Sequence, residues 1–483
     1  MPEGQRMSAV LADLLGHDLP RTQGLAEALT ARLRGLVAGG ALAPGTMLPS
    51  SRRLADDLGV SRNTVTAAFG QLAAEGYLVV RQGCRPVVAP GTGLAGPVPG
   101  RPPAGAAAMP RLSAWAAALP PAPASATLRP FRTGFGDPRE FPHAAWARCL
   151  RDAARRSPAG PPAANAPALQ AGLRDHLAAQ RGVRAEPDRV VILPTARAAL
   201  TLVAALVLDP GDPAWIEEPG YPGIREALAA AGARVVPVPV DAHGLTLPRD
   251  SPVPKLVVVT PSHQFPTGCL MPVARRRDLL RAADAAGALI LEDDYDGEFH
   301  FDGAPVPALQ ALTGADRAIY AGTFAKATSP AVRVGYMVVP RPLLPVALAA
   351  QRHLGLTAAP QVQEALALFL GRGLYRAHLR RTRRLYRERR DHLVAALRKT
   401  CGDRIAVEAP AGGLQVLARL RDGTADAAAA ARAGARGLDV LALSRLHAGP
   451  PGDAAGLLLG FAAWRPAELT EAVARLDAAL RDA

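Results

Sequence analysis

The sequence predicts an α/β protein in which a small helical module is joined to a large domain by a linker. Beyond residue 126, short runs rich in β-branched residues alternate with stretches rich in Ala, Arg and Leu. That pattern is typical of βαβ units and of a mainly parallel sheet with helices on both faces. From about residue 90 to residue 126 Pro, Gly and Ala dominate, and such a composition cannot build a core. We therefore expect a small module over 21–89, a linker over 90–126 and the large domain over 127–483.

The composition indicates two or more domains and a reducing compartment. The chain has 483 residues, of which 49% are hydrophobic, enough to bury more than one core. Its four cysteines lie far apart and form no Cys-x-x-Cys pair, which argues against a zinc ribbon and against a secreted disulfide scaffold. The N-terminus lacks the apolar region of a signal peptide, and no apolar run is long enough to cross a bilayer. We expect a cytoplasmic protein with no membrane segment and no metal site.

The small module is predicted to be a winged helix-turn-helix. Two short helices meet at the glycine turn Leu58-Gly59-Val60, which is the arrangement of a helix-turn-helix. Ser50 or Ser51 can cap the first helix, and Ser61 can cap the second. The alternating segment 77–88 follows as a two-stranded hairpin, or wing.

Residues around the start of the second helix are the candidates for contact with nucleic acid. The first turns of that helix enter the major groove, where arginine suits guanine and asparagine suits adenine. A small interaction module with solvated arginines is the alternative, because residues 1–90 hold nine Arg and seven acidic residues, a net of +2 out of the total +14. The candidates for phosphates and base edges are Ser61, Arg62, Asn63, Thr64 and Thr66, with Arg52 and Arg53 of the preceding helix meeting the backbone.

The run LPSSRRLADDLGVSRNTVTAAFGQLAAEGYLVVRQG resembles the winged-helix module of GntR-type transcription regulators. The resemblance implies double-stranded operator DNA as a partner. It also implies phosphate and guanine contacts by Arg52 and Arg62, flanked by Asn63, Thr64 and Thr66, with Gly83 at the wing tip. The family's Gly-Ser-Gly-Thr wing is replaced by Gly83-Cys84-Arg85-Pro86, so that a cation stands where flexible glycine backbone is usual.

The predicted strands of the large domain indicate where a ligand would bind, because ligands in such folds bind at the carboxyl ends of strands. The candidates cover residues 190–193, 213–218, 233–240, 255–260, 288–296 and 333–339.

Only three lysines occur in the chain, and one of them has unusual surroundings. Lys255 precedes a strand and Lys399 ends an arginine-rich helix, whereas Lys326 lies among small residues with Arg333 seven positions on. An amine in such surroundings loses its proton more easily and forms a Schiff base, and an arginine can hold a phosphate. These are the requirements for attachment of pyridoxal 5'-phosphate.

Residues for the cofactor's other groups can be found independently. The pyridine nitrogen needs a buried carboxylate, and ILEDDYDGEF offers Asp293 at a strand end, with Tyr295 to donate to the phenolic oxygen. Tyr221, in the rigid turn EEPGYPG, can cover the ring face. Each feature alone has a structural explanation, and only the combination indicates a cofactor site.

The order of EEPGYPG, TPSHQFPTG, LEDDYDGEF, GTFAK and PAVRVGY resembles fold-type I aminotransferases, and the fusion to a GntR-type module resembles the MocR subfamily of regulators. The resemblance implies a head-to-tail homodimer with sites completed across the subunit interface. It implies Lys326 as the Schiff-base lysine, Asp293 and Tyr295 as ring partners, Tyr221 as the stacking residue, Thr323 and Arg333 as phosphate ligands, and His263 and Gln264 in the segment that lines the cofactor's face.

Three departures from the aminotransferase pattern stand out. The segment ILPTARAAL puts Thr195, Ala196 and Arg197 where a Ser-Gly-Ser-Gln-like phosphate loop is usual, although the helix N-terminus still offers N–H groups. Ala325 precedes Lys326 where serine is usual. The segment GLLLGFA lacks the arginine that holds a substrate carboxylate in many aminotransferases. We expect weaker binding of the cofactor's phosphate and still weaker binding of amino acids.

The sequence therefore predicts a DNA-binding transcription regulator that senses pyridoxal 5'-phosphate or an amino compound condensing with it. One alternative is an active aminotransferase that carries a DNA-binding module, and another is a regulator that has lost the cofactor. The nine arginines between Arg372 and Arg390 fit a solvated amphipathic helix, while an auxiliary DNA contact is left open.

Overall fold

The structure of the chain is a computed structural model. The chain forms two compact units, residues 1–111 and 112–483. The predicted linker falls mainly on 92–110 and 120–126, outside the described residues, so its limits stay a prediction. The structure describes residues 11, 15, 24–81, 83–91, 111–119, 127–156, 163–248, 250–313, 317–421, 423–450 and 455–481.

The first unit is a winged helix-turn-helix, as the sequence predicts. Ser50 caps the helix Ser51–Leu58 by accepting from Arg53 N at 3.3 Å, and Gly59 ends this helix with a left-handed φ of 65°. The strands of the wing are two residues long, shorter than the predicted hairpin, and pair Leu78 with Val88. The elements are α1 (Leu25–Ala38), α2 (Ser51–Leu58), α3 (Arg62–Ala74), β1 (Leu78–Val79) and β2 (Val87–Val88).

The second unit contains a mixed, mostly parallel eight-stranded sheet with the order β3-β10-β9-β8-β7-β4-β5-β6. Strands β5, β4, β7, β8 and β9 run parallel to one another, whereas β10 is antiparallel to both of its neighbours, β3 and β9. The strands are β3 (Val190–Leu193), β4 (Pro213–Glu218), β5 (Arg234–Asp241), β6 (Gly244–Leu245), β7 (Leu256–Val259), β8 (Leu289–Asp293), β9 (Ala318–Thr323) and β10 (Gly335–Val338).

Helices pack around this sheet and bury apolar cores with it. Strands β3 and β7 are buried at every position, as expected for strands covered on both faces. The α-helices of this region are α4 (Ala114–Ala117), α5 (His143–Arg155), α6 (Pro167–Arg181), α7 (Ala196–Val207), α8 (Pro222–Ala230), α9 (Val273–Ala286), α10 (Leu309–Thr313), α11 (Leu344–His353), α12 (Pro360–Gly371) and α13 (Leu374–Cys401).

A four-stranded antiparallel sheet of order β11-β12-β14-β13 follows near the C-terminus. It comprises β11 (Ile405–Val407), β12 (Gln415–Leu420), β13 (Leu441–Ala442) and β14 (Gly456–Gly460), with α14 (Asp426–Ala435) and α15 (Pro466–Arg481). In the part of the chain that the structure describes, no helix is long and apolar enough to cross a membrane.

Candidate functional site

Lys326 lies just beyond the carboxyl end of β9 and points at the turn that contains Gly134. Its Nζ donates a hydrogen bond to the Gly134 carbonyl oxygen at 2.7 Å. A Cβ on Gly134 would lie 2.8 Å from Nζ, and the φ of +80° also favours glycine there. Burial lowers the pKa of the Lys326 amine below its usual value. The site thus holds a partly desolvated amine, the form of lysine suited to nucleophilic chemistry.

The acidic run at the end of β8 is paired residue by residue with basic groups, with one exception. Glu292 lies 3.5 Å from Arg276, and Asp294 lies 2.8 Å from Arg181. Asp293, between them, has a buried Oδ1 without a hydrogen-bond partner among the described residues.

Burial, reinforced by the charge of Asp294, raises the pKa of the Asp293 carboxyl to about 7, while the positive charge of Lys326 opposes this shift. A buried carboxylate left without a partner is costly. Asp293 is therefore suited to a cationic N–H group, such as a protonated pyridine nitrogen.

Tyr295, the next aromatic residue after this run, is held by two neighbours from other parts of the chain. Its hydroxyl lies 2.9 Å from His263 Nδ1 and accepts from Gln415 Nε2 at 3.0 Å. His263 Nδ1 also lies 2.9 Å from Asp296. A Cβ on Gly413 would lie 2.0 Å from the His263 ring, so only glycine leaves room for this histidine. No sequence pattern identified Gln415.

Tyr221 stands at the rim of the site, as the residue that precedes α8. Its ring is 42% exposed and meets Phe265 edge to face at 5.6 Å. Arg197 donates from Nη2 to the Tyr221 hydroxyl at 2.9 Å and also pairs with Glu226 at 3.3 Å. In the sequence, Arg197 is notable only as a departure in the phosphate loop. Its position at the start of the predicted helix gives no sign of this contact.

The predicted phosphate ligands gather where β3 and β9 end and β10 begins. Gly335 of β10 pairs with both Leu193 and Thr323, and a Cβ on it would lie 2.6 Å from Ala196 N. Thr195 caps α7 by accepting from Ala198 N at 3.0 Å. The first N–H groups of a helix have no partner within it and suit an anion.

The other predicted residues of this region differ in their accessibility. Arg333 is exposed, with a left-handed φ of 46°. Thr323 Oγ1 accepts from Ala325 N at 3.1 Å. Gln264 donates to the carbonyl oxygens of Pro219 and Phe265. These hydrogen bonds connect its side chain to the backbone of the neighbouring loops and not to Lys326.

Most of the predicted DNA-contacting residues lie on an exposed face of the first unit. Ser61 caps α3 through Thr64 N at 3.1 Å, and the hydroxyls of Ser61 and Thr64 lie 2.8 Å apart. These two residues therefore serve the helix start as well as facing outward. Arg53 pairs with Asp57 at 3.3 Å. The exposed candidates are Arg52, Arg53, Ser61, Arg62, Asn63 and Thr66 on the helices and Gly83 on the wing.

The arginine-rich helix α13 is amphipathic, as predicted. Tyr375, Leu379 and Tyr386 are buried. Several of its arginines are paired, for example Arg383 with Glu298 at 3.2 Å and Arg387 with Asp302 at 2.7 Å. Much of the positive charge of α13 is therefore ion-paired or buried.

Two protein families match this chain in regions that correspond to the two units. The bacterial regulatory proteins of the gntR family match residues 25–88. Aminotransferase class I and II matches residues 134–476.

Curated relatives match this chain over nearly its whole length and theirs. The probable rhizopine catabolism regulatory protein MocR of Rhizobium meliloti is 37% identical over 96% of this chain and 94% of its own length. The pyridoxine biosynthesis transcriptional regulator PdxR of Corynebacterium glutamicum is 35% identical over 92% of this chain and 95% of its own.

Among solved structures, the α-aminoadipate aminotransferase LysN of Thermus thermophilus, complexed with N-(5'-phosphopyridoxyl)-L-leucine, is 28% identical. It superposes with a TM-score of 0.66 over 73% of this chain and 92% of its own. The chain belongs to the MocR-type regulators of the GntR family, in which a winged helix-turn-helix is fused to an aminotransferase class I and II domain.

Proposed function

We propose that the large domain of this transcription regulator binds pyridoxal 5'-phosphate and senses the cofactor, or an amino compound that condenses with it. The observation that carries the proposal is the unpaired buried Oδ1 of Asp293, set between two paired acidic neighbours. The protonated ring nitrogen of the cofactor would satisfy it.

Lys326 is the residue that we propose to bond to the cofactor. Its lowered pKa increases the fraction of uncharged amine, which is the form that would bond to the aldehyde group of the cofactor. The bound cofactor supplies an electron sink for the amino group bonded to it. The Gly134 carbonyl orients Nζ, and a protonated ring nitrogen beside Asp293 would hold that carboxyl in its ionised form.

The other predicted residues would hold the remaining parts of the cofactor. Tyr221 would cover the ring face, and Tyr295, supported by His263, would donate to the phenolic oxygen. The phosphate would lie at the start of α7, with Thr195, Ala196, Thr323 and Arg333 around it.

An effector amine would act by replacing Lys326 on the cofactor's aldehyde carbon, so that the lysine amine is released. Such an exchange alters DNA binding only if the two forms of the domain differ in their affinity for the effector. We propose that the regulator works as a head-to-tail homodimer, whose two winged helices would contact repeated or palindromic half-sites on double-stranded DNA.

Two alternatives make different predictions. A regulator that has lost the cofactor would gain nothing from an unpaired buried carboxylate, and Asp293 therefore favours retention. An active aminotransferase would need a group that holds the substrate carboxylate, and β14 carries no arginine.

The test is the visible absorption of the full chain titrated with pyridoxal 5'-phosphate, followed by borohydride reduction and peptide mapping. We expect the adduct on Lys326, loss of the absorption band in Lys326→Ala, and an unchanged band in the control Lys399→Ala, whose lysine is exposed. An adduct on Lys255 or Lys399, or no adduct, would contradict the proposal. DNA binding with and without the cofactor then distinguishes a sensor from a cofactor-indifferent regulator.

A further inference from the structure

We infer that the effector is a primary amine without a carboxylate next to its amino group, such as an amino alcohol. This inference rests on the proposed function, because it concerns the amine that exchanges with Lys326. It is drawn from the surface that stands where many aminotransferases hold the substrate carboxylate.

That surface is apolar and closely packed. Successive side chains of β14 point to opposite faces of the sheet. Leu457 and Leu459 face the main core, and Leu458 faces the opposite side. Leu458 is 0% exposed. It forms an apolar wall with Leu443 and Leu446, against which Phe265, Leu417 and Leu441 pack.

The apolar wall adjoins the candidate cofactor site through Phe265. The Phe265 ring lies 5.6 Å from Tyr221 and 6.1 Å from Tyr295, in both cases edge to face. These are the residues proposed to cover the ring and to meet its phenolic oxygen. A carboxylate bonded close to the reacting nitrogen would approach this wall, where its loss of hydration would be uncompensated.

Basic groups around the site are committed to other partners. Arg197 binds the Tyr221 hydroxyl and Glu226. Arg225 donates to the His447 carbonyl oxygen at 3.0 Å, and Arg132 pairs with Asp439 at 3.2 Å.

Two further basic residues, His447 and Arg445, belong to one loop of the C-terminal region. The His447 ring lies 3.2 Å from Glu218. Arg445 is exposed, on the opposite side of its turn from the buried Leu443 and Leu446. Except at Arg445, a carboxylate would therefore have to displace an existing partner to reach one of these basic groups.

Polar groups beside Tyr295 favour a neutral ligand group instead. Gln415 donates Nε2 to the Tyr295 hydroxyl, and its buried Oε1 has no partner among the described residues. An amide oxygen accepts from a hydroxyl group and repels a carboxylate. His263 Nε2 is likewise buried without a partner there. The hydroxyl group of an amino alcohol would donate to one of these two atoms.

The experiment compares amines that differ only in the carboxylate, using the full chain with its cofactor bound. 2-Aminoethanol is paired with serine, and 1-aminopropane with 2-aminobutyrate, at equal concentrations of free amine. The change in cofactor absorption gives each Kd. We expect the Kd of each amine to be about tenfold or more below that of its amino acid.

Equal or tighter binding of the amino acids would overturn the inference, and so would four silent amines on a protein whose cofactor band is present. Absence of that band before any amine is added would instead contradict the proposed function. Leu458→Arg supplies a second measurement, with Leu458→Met as its matched control. If its cofactor band and circular dichroism are intact, Leu458→Arg should gain about tenfold in serine affinity over Leu458→Met. If it does not fold, the ligand pairs decide alone.

Discussion

The indole Nε1 of Trp115 donates a hydrogen bond to the backbone carbonyl oxygen of Glu226 at 3.0 Å. Trp115 belongs to the short helix α4, on the chain that leads from the DNA-binding module, and Glu226 lies in α8. The Glu226 side chain pairs with Arg197, which donates to the hydroxyl of Tyr221. A continuous set of contacts thus joins the predicted stacking residue to the segment that precedes the large domain's first long helix.

Removal of the Trp115 donor is expected to weaken the response of DNA binding to an effector. Trp115→Phe keeps an aromatic ring and loses one hydrogen bond, worth about 0.5–1.5 kcal/mol, so the effector's influence on DNA affinity should fall roughly twofold to tenfold. Cofactor affinity should not change, because Trp115 does not touch the site. The measurement is DNA affinity with and without effector.

Leu112→Ala is the matched control, since Leu112 is 68% exposed on the same segment and should leave the response unchanged. Equal responses in Trp115→Phe and the unmodified protein would show that these contacts carry no signal.

The stability of the cofactor-free protein is expected to depend on pH through Asp293. Its pKa is raised from 3.8 to about 7 in the folded chain. Between these values the folded state holds a proton that the unfolded state has lost, so the contribution of Asp293 to stability falls as pH rises. Asp293→Asn should therefore become progressively more stable than the unmodified protein from pH 3.8 to about 7, by on the order of 4 kcal/mol, and level off above.

The same substitution is expected to weaken cofactor retention and shift its absorption, because a charged hydrogen bond to the ring is lost. Urea unfolding across the pH range and absorption spectra of the loaded protein check the two effects. An unchanged spectrum and affinity in Asp293→Asn would move the role to Asp294 or Asp296.

Asp294 is expected to act differently from its neighbour, as half of a buried ion pair. Asp294 and Arg181 lie 2.8 Å apart, with side chains 2% and 5% exposed. Arg181→Leu leaves a buried charge without its partner and should cost about 3–5 kcal/mol of unfolding free energy. The double variant with Asp294→Leu should recover much of this loss in urea unfolding. Equal stabilities of the single and double variants would exclude this coupling.

Local patterns in the sequence were sufficient for much of the fold. Strands β3 and β4 have the predicted limits, 190–193 and 213–218. Strand β3 is a run of apolar, mostly β-branched residues, and β4 has the strand-forming residues Trp215 and Ile216 at its centre. Strand β9 was not predicted, since AIYAGT is short and contains Ala and Gly, residues that are depleted in strands. The antiparallel C-terminal sheet was not predicted either.

The composition of the site was harder to predict, because its partners come from distant parts of the chain. Lys326 was found by elimination among three lysines, and Asp293 by its position at a strand end. Arg181 lies 113 positions from Asp294, and Gln415 lies 120 positions from Tyr295. No local pattern connects such residues, and only the sheet order brings them together.

Arg62 and Arg52 are expected to contribute to DNA binding in different ways. Arg62 is the first residue of α3, directly after its N-cap Ser61, and is exposed. If it reads a guanine edge, Arg62→Ala should cost about 1–3 kcal/mol on the operator and relax specificity at one position. Arg52→Ala should instead weaken all sequences together and reduce the salt dependence, as expected for a phosphate contact. The measurement is affinity for a DNA fragment selected by the full chain and for random DNA across a salt series. The control is Arg376→Ala, on the exposed side of α13. If Arg376→Ala abolishes operator binding while Arg62→Ala leaves it intact, the winged helix does not read the sequence.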